Sequence, residues 1–400
     1  MRSQIHSQLD RMGEYTFMDN LSRAVICLIL LSLTTSVSVQ ASALANSYEN
    51  FIYPNLRTYF VSPNGNDNNP GTKSQPLRYI NTALSYAEPG ERVYLMPGEY
   101  FEDIKTVRSG TPDQPILIYG SKKAIVKGAQ KNRIFQIFHS YIHLRNFSID
   151  GKVGAGNAIE DFRDILVWVQ GQEIKSGPKG VVLRSMILQN AGGECVRLKY
   201  FVTQAEIFGN LIRNCGVYDF QFAAGGKNGE GIYIGTAPEQ WDNGKNPSAD
   251  PDHSNGNWVW GNKFYTYGNE CVDIKEGAEY NLIEYNACQN QLDPNSGGFD
   301  ARGDNNIFRY NIAHTNTGAG VRLGGDLHQG RQYGINNQVY GNIIYGNGHA
   351  GVKVMSYPQD QICSNMLFDN GRSDFYGNSG IVYDPGEDCQ EPPPETPPEN

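Results

Sequence analysis

An asparagine returns at one point of a repeated phrase through the second half of this chain. The phrases are Gly-Asn210-Leu-Ile, Gly-Asn262-Lys-Phe, Tyr-Asn286-Ala, Tyr-Asn311-Ile-Ala, Gly-Asn342-Ile-Ile and Ser-Asn365-Met-Leu. Recurrence on this scale marks a solenoid, whose repeats cannot bury their apolar faces alone and must stack on one another. Amides stacked at successive tight turns can hydrogen-bond to each other and to backbone, so these Asn residues read as structural.

A second set of phrases falls into register: Gly231-Ile-Tyr-Ile-Gly235, Cys271-Val-Asp-Ile-Lys275, Gly298-Phe-Asp-Ala-Arg302, Gly320-Val-Arg-Leu-Gly324 and Gly351-Val-Lys-Val-Met355. Their second and fourth residues are apolar, the pattern of strands whose alternate side chains enter a core. The third position then carries Tyr233, Asp273, Asp300, Arg322 and Lys353 along one outer face, and the fifth carries Lys275 and Arg302. Parallel strands lie about 4.8 Å apart, so Lys275 should neighbour Arg302, and Asp273 should neighbour Asp300. Gly268 to Glu276 concentrates this charge, and Gly193 to Lys199 echoes it upstream. Glu194, Glu230 and Glu270 share one offset and predict an acidic file.

The 400 residues include 45 Gly, only 19% are charged, and the net charge is −9. That balance predicts one large domain and argues against a nucleic-acid partner, which would require a basic face. It leaves room for an acidic polysaccharide where a local cationic groove or a bound cation reverses the sign. The apolar run Ala24 to Val39 follows Arg23 and precedes small residues at 41–45, which predicts a secretory signal over 1–45, with an over-extended start before Met18. A single anchoring helix is the alternative. The chain is accordingly read as secreted, extracellular or periplasmic, monomeric, and free of the membrane once the signal is cleaved. A linker over 46–58, a repeat domain over 59–386 and a Pro- and Glu-rich disordered tail over 387–400 complete the expected organisation. Of the six Cys beyond the signal, Cys363 with Cys389 is the first pair expected to bridge; Cys195, Cys215, Cys271 and Cys288 are expected as buried thiols.

One amphipathic helix is predicted over Pro76 to Ala87, followed by Gly90-Glu-Arg-Val-Tyr-Leu-Met-Pro-Gly-Glu-Tyr100. Short strands follow at 116–119, 134–138, 142–149, 165–169 and 181–188. This entry resembles the amino-terminal cap of right-handed parallel β-helix proteins of the pectate-lyase-like superfamily. The resemblance implies an all-β, single-stranded right-handed parallel β-helix whose helix plugs the open end. The loop from Thr236 to Asn257 and the short bulge from Asp293 to Ser296 interrupt the period, as binding loops on solenoids do.

The charged face carries the parts for removing the C5 proton of a uronate in a polysaccharide. Glu270, Asp273 and Asp300 offer hard oxygens for Ca²⁺. Lys275, among other cations, is the candidate base, expected to have a lowered pKa, and Arg302 the assisting cation. Arg322, Lys353, Tyr233 and Trp241 are candidate substrate contacts, Trp241 as a sugar-stacking wall or packed under its own loop. The order of acid, Lys275 and then Arg302-Gly-Asp-Asn-Asn resembles the β-helical polysaccharide lyases that include chondroitinase B and similar alginate lyases. In that resemblance Glu270 matches an acidic Ca²⁺ ligand, Lys275 the family's Lys and Arg302 its Arg. A second acidic ligand falls on Gly268, and the His of the family's Arg-His-Gly-Asp phrase is missing. Calcium-dependent pectate lyases with an Asp cluster and a Lys base are also similar. The leading expectation is a lyase acting by Ca²⁺-assisted β-elimination. The alternatives are a glycoside hydrolase using Asp273 and Asp300, a C5-epimerase, and a non-catalytic glycan-binding protein on which Lys275 and Arg302 merely balance the acids.

Overall fold

The computed structural model describes residues 57–129, 132–224, 228–377 and 383–389. The expected signal, most of the linker and nearly all of the tail lie outside these residues. Among the described residues no helix is long and apolar enough to cross a membrane.

Each turn of chain contributes one short strand to each of three parallel sheets, of eleven, ten and ten strands. Successive turns pair in parallel throughout: Leu282–Glu284 lies between Trp258–Trp260 and Ile307–Arg309, Ala287–Gln289 between Lys263–Tyr265 and Ile312–His314, and Val272–Ile274 between Ile232–Ile234 and Gly297–Ala301. The result is a right-handed parallel β-helix whose interior is one continuous column of Ile, Val, Leu and Phe.

The Asn phrases sit at the corner between the first and second sheets. The Nδ2 of Asn210, Asn262, Asn286, Asn311 and Asn342 each donates to the Oδ1 of the next Asn in the series at 2.9–3.1 Å, ending on Asn365. The residue before each Asn is left-handed: Gly209, Gly261, Tyr285, Tyr310, Gly341 and Ser364 have φ between 49° and 66°. This conformation turns the chain out of one strand and into the next. Two further amide ladders brace the other corners, Asn257–Asn281–Asn306 and Asn316–Asn347–Asn370.

The same corner explains two merged sequence assignments. The stretch 142–149 is two strands, Ile142–Arg145 and Ser148–Asp150, bent at left-handed Asn146; 181–188 likewise divides at Ser185. The helix is shorter than its periodicity, Ile80–Tyr86. Leu77 pairs with Val61, and Asp67 accepts from the backbone of Arg78 and Tyr79, which holds that lead-in extended. Glu102 then takes the first N–H groups, those of Ile80 and Asn81, at 2.6 and 3.2 Å.

All six described cysteines are paired: Cys195–Cys215, Cys271–Cys288 and Cys363–Cys389. The expectation of four buried thiols is therefore corrected. Each of the first two pairs links one turn, just before its third-sheet strand, to the next turn at its second-sheet strand, a closeness that linear spacing does not reveal.

Replacing Asn286 by Ala should destabilise the fold by about 2–4 kcal/mol, because it strips partners from the buried Asn262 amide and from carbonyls of Val259 and Glu284. Urea unfolding followed by circular dichroism checks it; an unchanged midpoint would make the ladder ornamental.

Candidate functional site

The outward file of the third sheet runs Trp168, Arg197, Tyr233, Asp273, Asp300, Arg322, Lys353 and Tyr376, each opposite the next. Lys275 and Arg302 follow their strands at the same level, and the Arg302 N–H donates to Ile274 O at 2.7 Å. The alternation that buries Val272, Ile274, Phe299 and Ala301 aims their charged neighbours at one flank.

A cleft of about 240 Å³ opens on that flank, lined by Glu230, Asn269, Glu270, Lys275, Asp293, Asn295, Ser296, Arg302 and Arg322. Lys275 Nζ lies 2.5 Å from Asp273 Oδ2, and Arg302 Nε lies 3.8 Å from Asp273 and 3.7 Å from Asp300. One Arg322 nitrogen donates to both Asp300 oxygens, at 2.9 and 3.0 Å. Ser296 Oγ stands between Glu270 and Asp300, within hydrogen-bond distance of both, with one proton to donate.

Burial would pull the Lys275 ammonium down, but Asp273, Tyr233 and Glu230 outweigh it and hold the group well above the ordinary lysine range. The expected lowered pKa is corrected: the anionic Asp273 carboxylate against the ammonium outweighs burial and the neighbouring Arg302. Burial would likewise raise Asp273, yet Lys275 and Arg302 keep its carboxyl below the usual range. Burial and then Glu270 push Glu230 up to about 8; burial, then Asp273 and Asp300, push Glu270 up to about 7. Both carboxyls therefore favour a proton, or another positive charge, near neutrality.

Glu230, Glu270 and Asp273 each present an oxygen within 4.8 Å of the others'. These three buried hard donors fit a divalent cation such as Ca²⁺. Asp300, expected among the ligands, stands outside the trio, its carboxylate held by Arg322 and Ser296. Glu230 takes its position. The repeated offset of Glu230 and Glu270 was the signal for it.

Two expected substrate contacts are corrected. Tyr233 is buried, sandwiched between the Arg197 guanidinium at 3.6 Å and Lys275 Nζ at 4.6 Å from its ring centre. Trp241 packs beneath its loop, donating to Thr236 O and meeting the rings of His328 and Tyr333 edge-on. Arg322 does line the cleft, while Lys353 is largely buried with Nζ donating to Asn295 O at 2.8 Å. Arg302, with 28% of its side chain exposed, is the most open of the paired cations here. Asn295 and Ser296 line the cleft from the bulge 293–296 that interrupts the period, and Asn269 lines it from within the stretch 268–276, although none was singled out by number as a candidate.

Asp273 and Asp300 are neighbours, but both are fully buried and ion-paired, so neither suits the acid and base of a hydrolase.

These features define the class: a right-handed parallel β-helix with a charged cleft on an outer sheet, the fold of the pectate-lyase-like superfamily. Residues 59–245 match the family model described as Pel9A-like, right handed beta helix region. An alginate lyase from Paenibacillus sp. str. FPU-7 superposes with a TM-score of 0.61 over 81% of this chain and 99% of its own, at 17% identity. Pectate lyase Pel9A gives 0.52 over 82% and 79%, at 15% identity. A GH136 lacto-N-biosidase from Eubacterium ramulus gives 0.50 over 81% and 67%, at 14% identity. In sequence, the uncharacterized protein YwoF of Bacillus subtilis is 37% identical over 71 residues, 17% of this chain, and pectate lyase PEL9 of Emericella nidulans 33% over 75 residues, 18% of it. Those stretches span 15% and 18% of the two relatives' own lengths.

The raised Glu230 and Glu270 values carry a sign. Protons held in the folded state above the ordinary 4.5 stabilise it at low pH, and that contribution is lost as pH climbs from about 4.5 to about 8. Added Ca²⁺ should therefore raise the melting temperature more at about pH 8 than at about pH 5, and Glu230→Gln should shrink the difference. Differential scanning calorimetry reads both; a Ca²⁺ effect independent of pH would count against the trio as its seat.

Proposed function

We propose that this protein is a secreted enzyme acting on an acidic polysaccharide, a lyase that breaks a glycosidic bond beside a uronate by β-elimination. The observation that carries the reading is the convergence of Lys275, Arg302 and Arg322 with Glu230 and Glu270 on one open cleft. The alginate lyase and Pel9A that share the architecture, and the stretch in common with PEL9, lend it support. Three disulfides and the apolar run before residue 40 support export.

A uronate carboxylate entering the cleft meets the guanidinium groups of Arg302 and Arg322, whose planar N–H pairs match it. Charge on that carboxylate grows as C5 loses its proton, so the same cations stabilise the developing enolate more than the bound substrate. Lys275 is the group assigned to the C5 proton. The electron pair left at C5 closes the C4=C5 double bond as the C4–O bond breaks, and the departing oxygen takes its proton from water. Pairing with Asp273 keeps Lys275 an ammonium near neutrality, so the free amine, and with it the rate, should grow with pH. Glu230, Glu270 and Asp273 would hold Ca²⁺, which when bound supplies further positive charge against the substrate carboxylate.

The test is incubation with pectate, alginate and glucuronan while following ultraviolet absorbance of the unsaturated product. Turnover should rise from about pH 7 to about pH 10, and Lys275→Ala should lower kcat/KM by about 10²- to 10⁴-fold. Undiminished turnover in that variant removes Lys275 from the proton transfer. Saturated products would point to hydrolysis, and saturable binding without turnover to a glycan-binding protein.

A further inference from the structure

Beyond Arg322 the groove continues toward the carboxy-terminal coils. Its floor file runs Asp300, Arg322, Lys353 and Tyr376. A wall file stands three residues ahead of the inward strand residues Val272, Phe299, Val321, Val352 and the half-buried Phe375, and consists of Asn269, Ser296, Gly318, His349 and Arg372. Backbone bonds tie its last members together, His349 N to Gly318 O at 3.0 Å and Arg372 N to His349 O at 2.7 Å. Gly318 lets the wall pack close against the bulge of the preceding coil; a Cβ there would stand 2.2 Å from Ser296 O. Past it stand the cations Lys353 and Arg372. Arg372 is exposed, its guanidinium stacks 3.9 Å over the Tyr376 ring, and His349 meets that ring edge-on. Among the described residues Arg372 makes no ion pair, and its near polar partner is His349 Nε2 at 3.5 Å. Burial and the neighbouring Arg322 lower the Lys353 ammonium, and burial with Lys353 and Arg372 lowers His349, signs of positive charge short of an anion.

Toward the amino-terminal coils the groove is roofed. Gln240 accepts from Arg197 at 3.4 Å and Lys245 O accepts from Gln170 at 3.0 Å, so the loop 236–257 lies over this end. Trp168, Arg197 and Lys199 beneath it are 5%, 5% and 2% exposed. Arg197 is also ion-paired to Glu194, which takes up its charge.

We propose that the cleft takes its acidic glycan from one side only, and that Arg372, His349 and Tyr376 form a further uronate subsite two rungs, about 10 Å, beyond Arg322. This rests on the lyase reading and deepens it. The uronate carboxylate pairs with Arg372 and the sugar ring lies against Tyr376. With the far end roofed, the chain projects past the last coil and products leave with a narrow range of lengths.

The experiment compares wild type, Arg372→Ala and Arg372→Lys on purified oligo-uronides of graded length, from whichever polymer the wild type cleaves. Arg372→Ala should lower kcat/KM for long oligomers relative to the shortest cleaved one by about tenfold or more, the loss of one charge-assisted contact, with Arg372→Lys in between. An equal loss at all lengths, or none, overturns the subsite; a random spread of product sizes at early times overturns the one-sided cleft. Failure of the wild type to cleave any uronate polymer would sink the lyase reading instead. Calorimetric titration of the same proteins with a long acidic oligosaccharide then decides, and equal affinities overturn the subsite.

Discussion

The asparagine ladders hold everything else in register. A parallel sheet of two- to six-residue strands has few backbone bonds per rung, and a slip of one residue would send every inward side chain outward. An amide that fills its own coil and reaches the next fixes the rung below it, and three such ladders do so at the three corners. The alignment of Asp273 with Asp300 and of Lys275 with Arg302 is a consequence. No contact between those side chains is needed to produce it.

Given that alignment, the chemistry of the face follows from burial and charge count. Glu230, Glu270, Glu276, Asp273 and Asp300 face Lys275, Arg302 and Arg322, carboxylates in excess of these cations in a space where water screens poorly. The three cations settle on the two aspartates, and the deficit falls on the glutamates. One imbalance thus accounts both for a lysine held as ammonium and for a carboxylate pair suited to a cation. Along the groove, the loop 236–257 lies over the amino-terminal side, while Arg372 is exposed on the carboxy-terminal side.

Much of this was legible in the linear chain because a solenoid turns sequence period into spatial adjacency. The columns through Tyr233, Asp273, Asp300, Arg322 and Lys353 could be aligned by eye, and the coils stack as aligned. Legibility failed wherever the period breaks or a corner folds inward. Trp241 sits in an insertion, and whether its ring faced sugar or His328 was not encoded locally. The cysteine pairs span corners that repeat alignment does not bring together, and the left-handed turns at Asn146 and Ser185 passed for strand because their neighbours are apolar.

By itself, then, the sequence determined a stacked β-solenoid, its inward and outward residues, and which charges share a flank, since all three follow from periodicity and alternation. Only the tertiary structure decided which ions pair, that Arg322 withdraws Asp300 from the acidic trio while Glu230 joins it, and that a loop roofs one end of the groove. Those outcomes depend on distances of a few ångströms between long side chains and on how deeply each is buried. Neither quantity repeats with the coil.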